Sequence, residues 1–132
     1  EAYAEGDDDE LAEVALGEAA LASLRLLAAD ADAASHALPL RRAVLAAEVD
    51  EVKYRPDLDD AVVRVSAPVP IDHVIAAYVD IADAEPAVAK AIEVIDAADL
   101  GDEDAELVVG DAQDHDLAWY ANQELPFLLE LL

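Results

Sequence analysis

A chain of 132 residues, 56% of them hydrophobic, is long and apolar enough for one domain with a core of its own. Against that core stand 32 acidic and 7 basic side chains, a net charge of −25; nucleic-acid phosphates and anionic lipids need clustered Lys and Arg, and these bases, scattered from Arg25 to Lys90, form no such tract, so both are excluded as direct partners. The absence of cysteine excludes disulfides, thiolate catalysis and Cys-ligated metals, and no segment reaches the roughly 20 apolar residues of a spanning helix.

The first expected element is helical, from Glu1 to Ala34: Asp7, Asp8 and Asp9 place negative charge ahead of Leu11, and Val14, Leu21, Leu24 and Ala28 recur at helical spacing, with Gly17 a candidate break. Beyond Ser35-His36-Ala37-Leu38-Pro39 the period changes. Ala43–Val49, Ala61–Val65 and Val74–Val79 are short, rich in β-branched or small residues and bounded by Pro and Asp, which predicts three strands. Pro56-Asp57-Leu58-Asp59-Asp60 and Pro68-Val69-Pro70 connect them. Asp83 is placed to cap the next helix, with Pro86 in its first turn and Val88, Ile92 and Ile95 as its buried stripe. Leu100-Gly101-Asp102-Glu103-Asp104 ends that helix. Leu107-Val108-Val109 and the stretch Asp116 to Tyr120 are expected as strands, and Leu125 to Leu132 as a closing apolar helix or strand.

Strands flanked by helices without a regular strand-helix repeat predict an α+β fold, a mostly antiparallel sheet of about three to five short strands with about two to four helices, in a single domain over residues 1–132. The acids form a solvated shell around it. Like charges this dense repel across a Debye length of about 8 Å, so the free domain should gain stability as salt rises or as carboxylates are protonated mildly. The start, Glu1-Ala2-Tyr3-Ala4-Glu5, has no basic region followed by an apolar one, and the cytoplasm is the expected location.

Four groups of side chains invite a chemical reading. Asp111, Asp114, His115 and Asp116 are the densest set of possible metal ligands, but Asp99 to Asp111 does not supply the acids, central Gly and distal Glu of a calcium loop in order, and a solvated turn or helix cap is the simpler reading. Asp72-His73 would point to opposite faces if the stretch enters a strand, which forbids a hydrogen-bonded catalytic pair. Asp57 and Asp59 have the spacing of phosphotransfer carboxylates but follow Arg55-Pro56 rather than a buried strand. The three Ser residues lie in no nucleophile elbow, His36 marks only a loop, and the glycines are isolated, so no phosphate-binding loop exists. No catalytic, cofactor-binding or metal-ligating residue is assigned. Trp119, Tyr120 and Phe127 concentrate aromatic surface near the C-terminus; in a domain so poor in rings, core packing is the expected role, with a ligand or partner site as the alternative.

Through Leu58-Asp59-Asp60-Ala61-Val62-Val63-Arg64-Val65, the acidic run Asp96 to Glu106 and the segment Leu117 to Leu132, the chain resembles a family of conserved but uncharacterised actinobacterial proteins, the likeness running from about Ala4 onward. The resemblance implies a preceding short strand and helix, with Glu1 inside a slightly longer natural chain. It carries no activity, so no site residue is transferred. It favours an intracellular protein from a high-GC genome as one source of the acid excess, salt adaptation being the other.

Three functions follow as expectations. The first is a non-catalytic acidic domain that contacts a basic protein partner. The second is a small enzyme using Asp72, His73, Asp114 and His115, which requires at least two of them to meet in one pocket. The third is a mimic of nucleic acid, which requires rows of acids at duplex-like spacing. Leu125 to Leu132, with Glu130 as its only charge, would be a self-association patch if exposed; the expectation is that Phe127 and several of the leucines, with Trp119 beside them, are buried against the sheet, so that truncation before Pro126 unfolds the domain.

Overall fold

The computed structural model describes residues 8–30, 40–49, 52–54, 63–65 and 68–131. The order is α1 (Asp8–Asp30), β1 (Ala43–Ala47), β2 (Val52–Tyr54), β3 (Val63–Val65), β4 (Val74–Val79), α2 (Glu85–Asp99), α3 (Glu103–Gln113), β5 (Ala118–Ala121) and α4 (Leu125–Leu131). Strands β1, β4 and β5 form a three-stranded antiparallel sheet in the order β1-β4-β5, and β2 pairs with β3 as a separate antiparallel ribbon. The architecture is α+β.

Each layer follows from side-chain spacing. Leu24 of α1, Val88, Ala91 and Ile95 of α2, and Val109 and Ala112 of α3 meet in one buried cluster, edged by Leu21, Leu27 and Ile92. The spacings 88-91-95 and 105-109-112 keep one helical face inward, and the alanines among them let α2 and α3 approach closely. The turn between these helices needs a left-handed residue, and Gly101 takes it at φ 97°. Asp102 then caps α3, its carboxylate accepting the Ala105 amide at 3.0 Å, and Glu103, Asp104 and Glu106 stand in the first turn, where the helix dipole favours negative charge.

In the sheet the register aligns Val44, Tyr78 and Trp119 in one row and Ala46, Ala76 and Ala121 in the next, on one face. Leu45, Ala77 and Tyr120 lie on the other. A bulge between Ala46 and Ala47 brings Val74 opposite Ala47. Helix α4 covers the second face: Leu125 and Leu128 pack with Val74, Ala77, Val79 and Tyr120 in a second buried cluster.

Several sequence expectations change here. Leu107-Val108-Val109 belongs to α3 rather than a strand, because the Asp102 cap starts a helix whose 105-109-112 stripe is already matched to α2. Asp83 does not cap α2: the preceding 3₁₀ turn, Ala82–Ala84, shifts the start so that buried Ala84 is the N-cap residue and Asp83 is exposed, while Pro86 sits in the first turn as expected. Gly17 does not split α1, which is continuous through it. Strand β2 was not expected. Trp119 is 58% exposed and Phe127 69% exposed, both against expectation. Trp119 lies on the sheet face that α4 does not cover, and Phe127 falls off the Leu125/Leu128 side by which α4 packs on the sheet. Ser35, His36, Asp57 and Asp59 lie outside the described residues.

Candidate functional site

The two arginines before β1 are separated by strand alternation. Arg41 turns one way, its Nε donating to Glu85 Oε1 at 3.1 Å, and Arg42 the other, into the interior. Extending the β1-β4 register by one residue from Ala43 and Val79 sets Arg42 against Asp80, and both are buried. Arg42 Nε donates to Asp80 Oδ2 at 2.9 Å and Nη2 to Oδ1 at 2.7 Å, a bidentate fork, while the Arg42 amide adds a third bond to Oδ2 at 2.7 Å. The Asp80 amide donates back to the Arg42 carbonyl at 3.1 Å.

The remaining guanidinium bonds reach the helical layer. Nη1 donates to Gln113 Oε1 at 2.9 Å and Nη2 to the His115 carbonyl at 3.0 Å, and Gln113 Nε2 donates in turn to the Gly17 carbonyl at 3.1 Å. One side chain thus joins β1, β4, the end of α3 and, through Gln113, α1. Such a pair gains little net stability over an apolar pair of equal volume, yet losing one partner strands a buried charge at about 3–5 kcal/mol. Its chemistry is positional: the fork is occupied by protein acceptors and has no open pair of donors for an anion.

Beside this knot lies a cleft of about 350 Å³, with Glu13, Gln113, His115, Asp116 and Leu117 in its wall. Of the Asp111, Asp114, His115 and Asp116 neighbourhood read from the sequence, it takes in His115 and Asp116. Asp116 is exposed and His115 half-buried, while Asp114 is exposed at the C-cap of α3 and Asp111 is exposed within it. The other neighbourhood is elsewhere: Asp72 and His73 are exposed in a 3₁₀ turn, Ile71–His73, rather than in a strand, and Asn122 fastens that turn by donating to the Ile71 and Val74 carbonyls at 3.0 and 2.7 Å. Among the described residues no hydrogen bond or ion pair joins Asp72 or His73 to Asp114 or His115, and no three His, Asp or Glu side chains stand close enough to hold a metal ion.

Sequence reasoning singled out neither Arg42 nor Asp80. The signal was present but faint: a base just before one apolar strand and an acid just after another, which becomes a pair only when the register is known. A surface counterpart exists in Arg25 and Asp99, 2.8 Å apart and both exposed, where hydrogen bonding from the guanidinium, more than its charge, holds the Asp99 carboxyl below its ordinary value against a small opposing effect of burial.

The model of a family of unknown function, DUF6912, matches residues 1–129, and the chain belongs to that family. No curated protein and no solved structure matches it.

Proposed function

Starting from membership of a family without an assigned activity, we propose that this chain is a single cytoplasmic domain, of the actinobacterial type it resembles, that acts without catalysis through contact with a basic protein partner. One observation carries the reading: the chain's single Trp is spent on the surface. A buried Trp119 would have contributed more to folding than almost any other side chain, whereas Trp exposed beside Tyr78 on a sheet face is the kind of anchor that dominates protein interfaces. The charge of −25 selects a cationic partner and speeds its approach. The test is capture from a cell extract by the immobilised domain at moderate salt, in parallel with a Trp119→Ala variant. A protein retained by the first, lost from the second and released by raised salt supports the reading. Turnover of a compound in a hydrolase or phosphatase screen, with no protein retained, overturns it in favour of the carboxylate-histidine enzyme.

A further inference from the structure

Independently of the Trp119 contact, we propose that the cleft of about 350 Å³ beside the Arg42 knot is a binding site for a small alkylammonium, a primary amine on a short aliphatic stem. Its volume lies within the range of about 300–1,000 Å³ in which small molecules bind, and its lining has the same mixed character, apolar side chains with a few polar groups.

Helix α1 supplies one wall. Glu13, Leu16, Gly17 and Ala20 line the cleft, and their spacing, i, i+3, i+4 and i+7, keeps them on one helical face. Gly17 is the unusual member. A glycine inside a helix destabilises it relative to alanine, and no packing within the described chain requires one here, since a Cβ added at Gly17 would meet nothing within 4 Å. The missing side chain leaves room in the cleft. Gln113, His115, Asp116 and Leu117 line the cleft from the end of α3 and the segment leading to β5. Hydrogen bonds set this wall before any ligand arrives. Gln113 accepts from Arg42 Nη1 and donates to the Gly17 carbonyl, which ties the two walls together, and Arg42 Nη2 holds the His115 carbonyl.

Elimination selects the ligand. Arg42 also lines the cleft, but its guanidinium is engaged by Asp80, Gln113 and the His115 carbonyl, and the chain's charge of −25 opposes an anion. A metal ion lacks its ligands, because among the described residues no three His, Asp or Glu side chains stand close enough to hold one. The carboxylates of Glu13 and Asp116 have no hydrogen-bond or ion-pair partner among the described residues. An ammonium, with three donors and no acceptor, matches such groups, and its stem matches the apolar lining of Leu16, Ala20 and Leu117.

The probes are the four-carbon α,ω-diamine and a lysine blocked at both ends as its Nα-acetyl methylamide, each titrated by calorimetry at physiological salt. A single saturable site per chain is expected. Gly17→Leu, which fills the cleft from a position with open space at Cβ, should weaken binding about tenfold or more and leave the melting temperature no lower than the parent's. Gly110→Leu, the same change on α3 outside the cleft, should leave the affinity unchanged. Glu13→Gln and Asp116→Asn, both at exposed positions, should each weaken binding several-fold. Tighter binding of the free diamine marks a soluble amine as the ligand, and tighter binding of the blocked lysine marks a side chain of a protein partner. Uptake of both probes without saturation, as by the acidic surface at large, overturns the proposal, and so does unchanged affinity in Gly17→Leu. Should Gly17→Leu lower the melting temperature, the double variant Glu13→Gln/Asp116→Asn decides, and parent affinity in that variant overturns the site.

Discussion

Around Leu24 helices α1, α2 and α3 share one buried core, whereas α4 covers one face of the three-stranded sheet at Val74, Ala77, Val79 and Tyr120 but leaves Leu45 exposed there, and Trp119 is exposed on the other. The helical region is packed chiefly by apolar contact, its polar links, Arg25 with Asp99 and Gln113 with the Gly17 carbonyl, lying outside the apolar cluster. The sheet region has fewer large apolar side chains, and its attachment to the helices runs through a buried ion pair, Arg42 with Asp80. The contrast teaches that the helical core and the ionic knot set the stability, while the exposed part of the sheet surface, on which the proposed contact rests, is not needed for either.

The largest effect should come from the knot. Asp80→Ala leaves the Arg42 guanidinium buried without its carboxylate and should cost about 3–5 kcal/mol in urea denaturation, enough to unfold a marginal domain. The double variant Arg42→Met/Asp80→Leu should recover most of that loss; if it does not, the knot contributes more than the avoidance of an unpaired charge.

Next comes the helical core. Leu24→Ala should cost about 2–5 kcal/mol, while exposed Leu26→Ala on the same helix should stay within about 0.5 kcal/mol. Equal effects would mean that α1 does not present the Leu24 face inward.

The sheet side supplies a third pair. Leu128→Ala, which opens the seal over Val74 and Val79, should cost about 2–3 kcal/mol, and Phe127→Ala about 0.5 kcal/mol or less. A cooperative melt retained after truncation before Pro126 would show that α4 is an appendage.

The smallest effect belongs to the exposed pair. The Asp99 carboxyl is held low in the folded chain, so its contribution is present above the unfolded carboxylate value of about 3.9 and is lost as pH falls through the depressed folded value. Solvent screening limits it: Asp99→Asn should reduce stability by about 0.5 kcal/mol at neutral pH, with the difference from the parent chain vanishing in acid as pH falls through the depressed folded value.

The sequence by itself determined the α+β class, the boundaries of β4, Val88 and Ile95 of the α2 stripe, whose third buried residue is Ala91 rather than Ile92, and the helix-ending Gly101, because each depends on spacing within a few residues or on one backbone angle. It misread Leu107-Val108-Val109, since three apolar residues fit either period until α2 supplies the surface that a helix there must meet. Only the tertiary structure decided that Arg42 meets Asp80, 38 residues away, and that no hydrogen bond or ion pair joins Asp72-His73 to Asp114-His115. It also decided that Trp119 and Phe127 face solvent. Hydrophobicity along a chain states which side chains would benefit from cover; whether cover arrives depends on register and on which helix crosses which face, and those are set by contacts between distant segments.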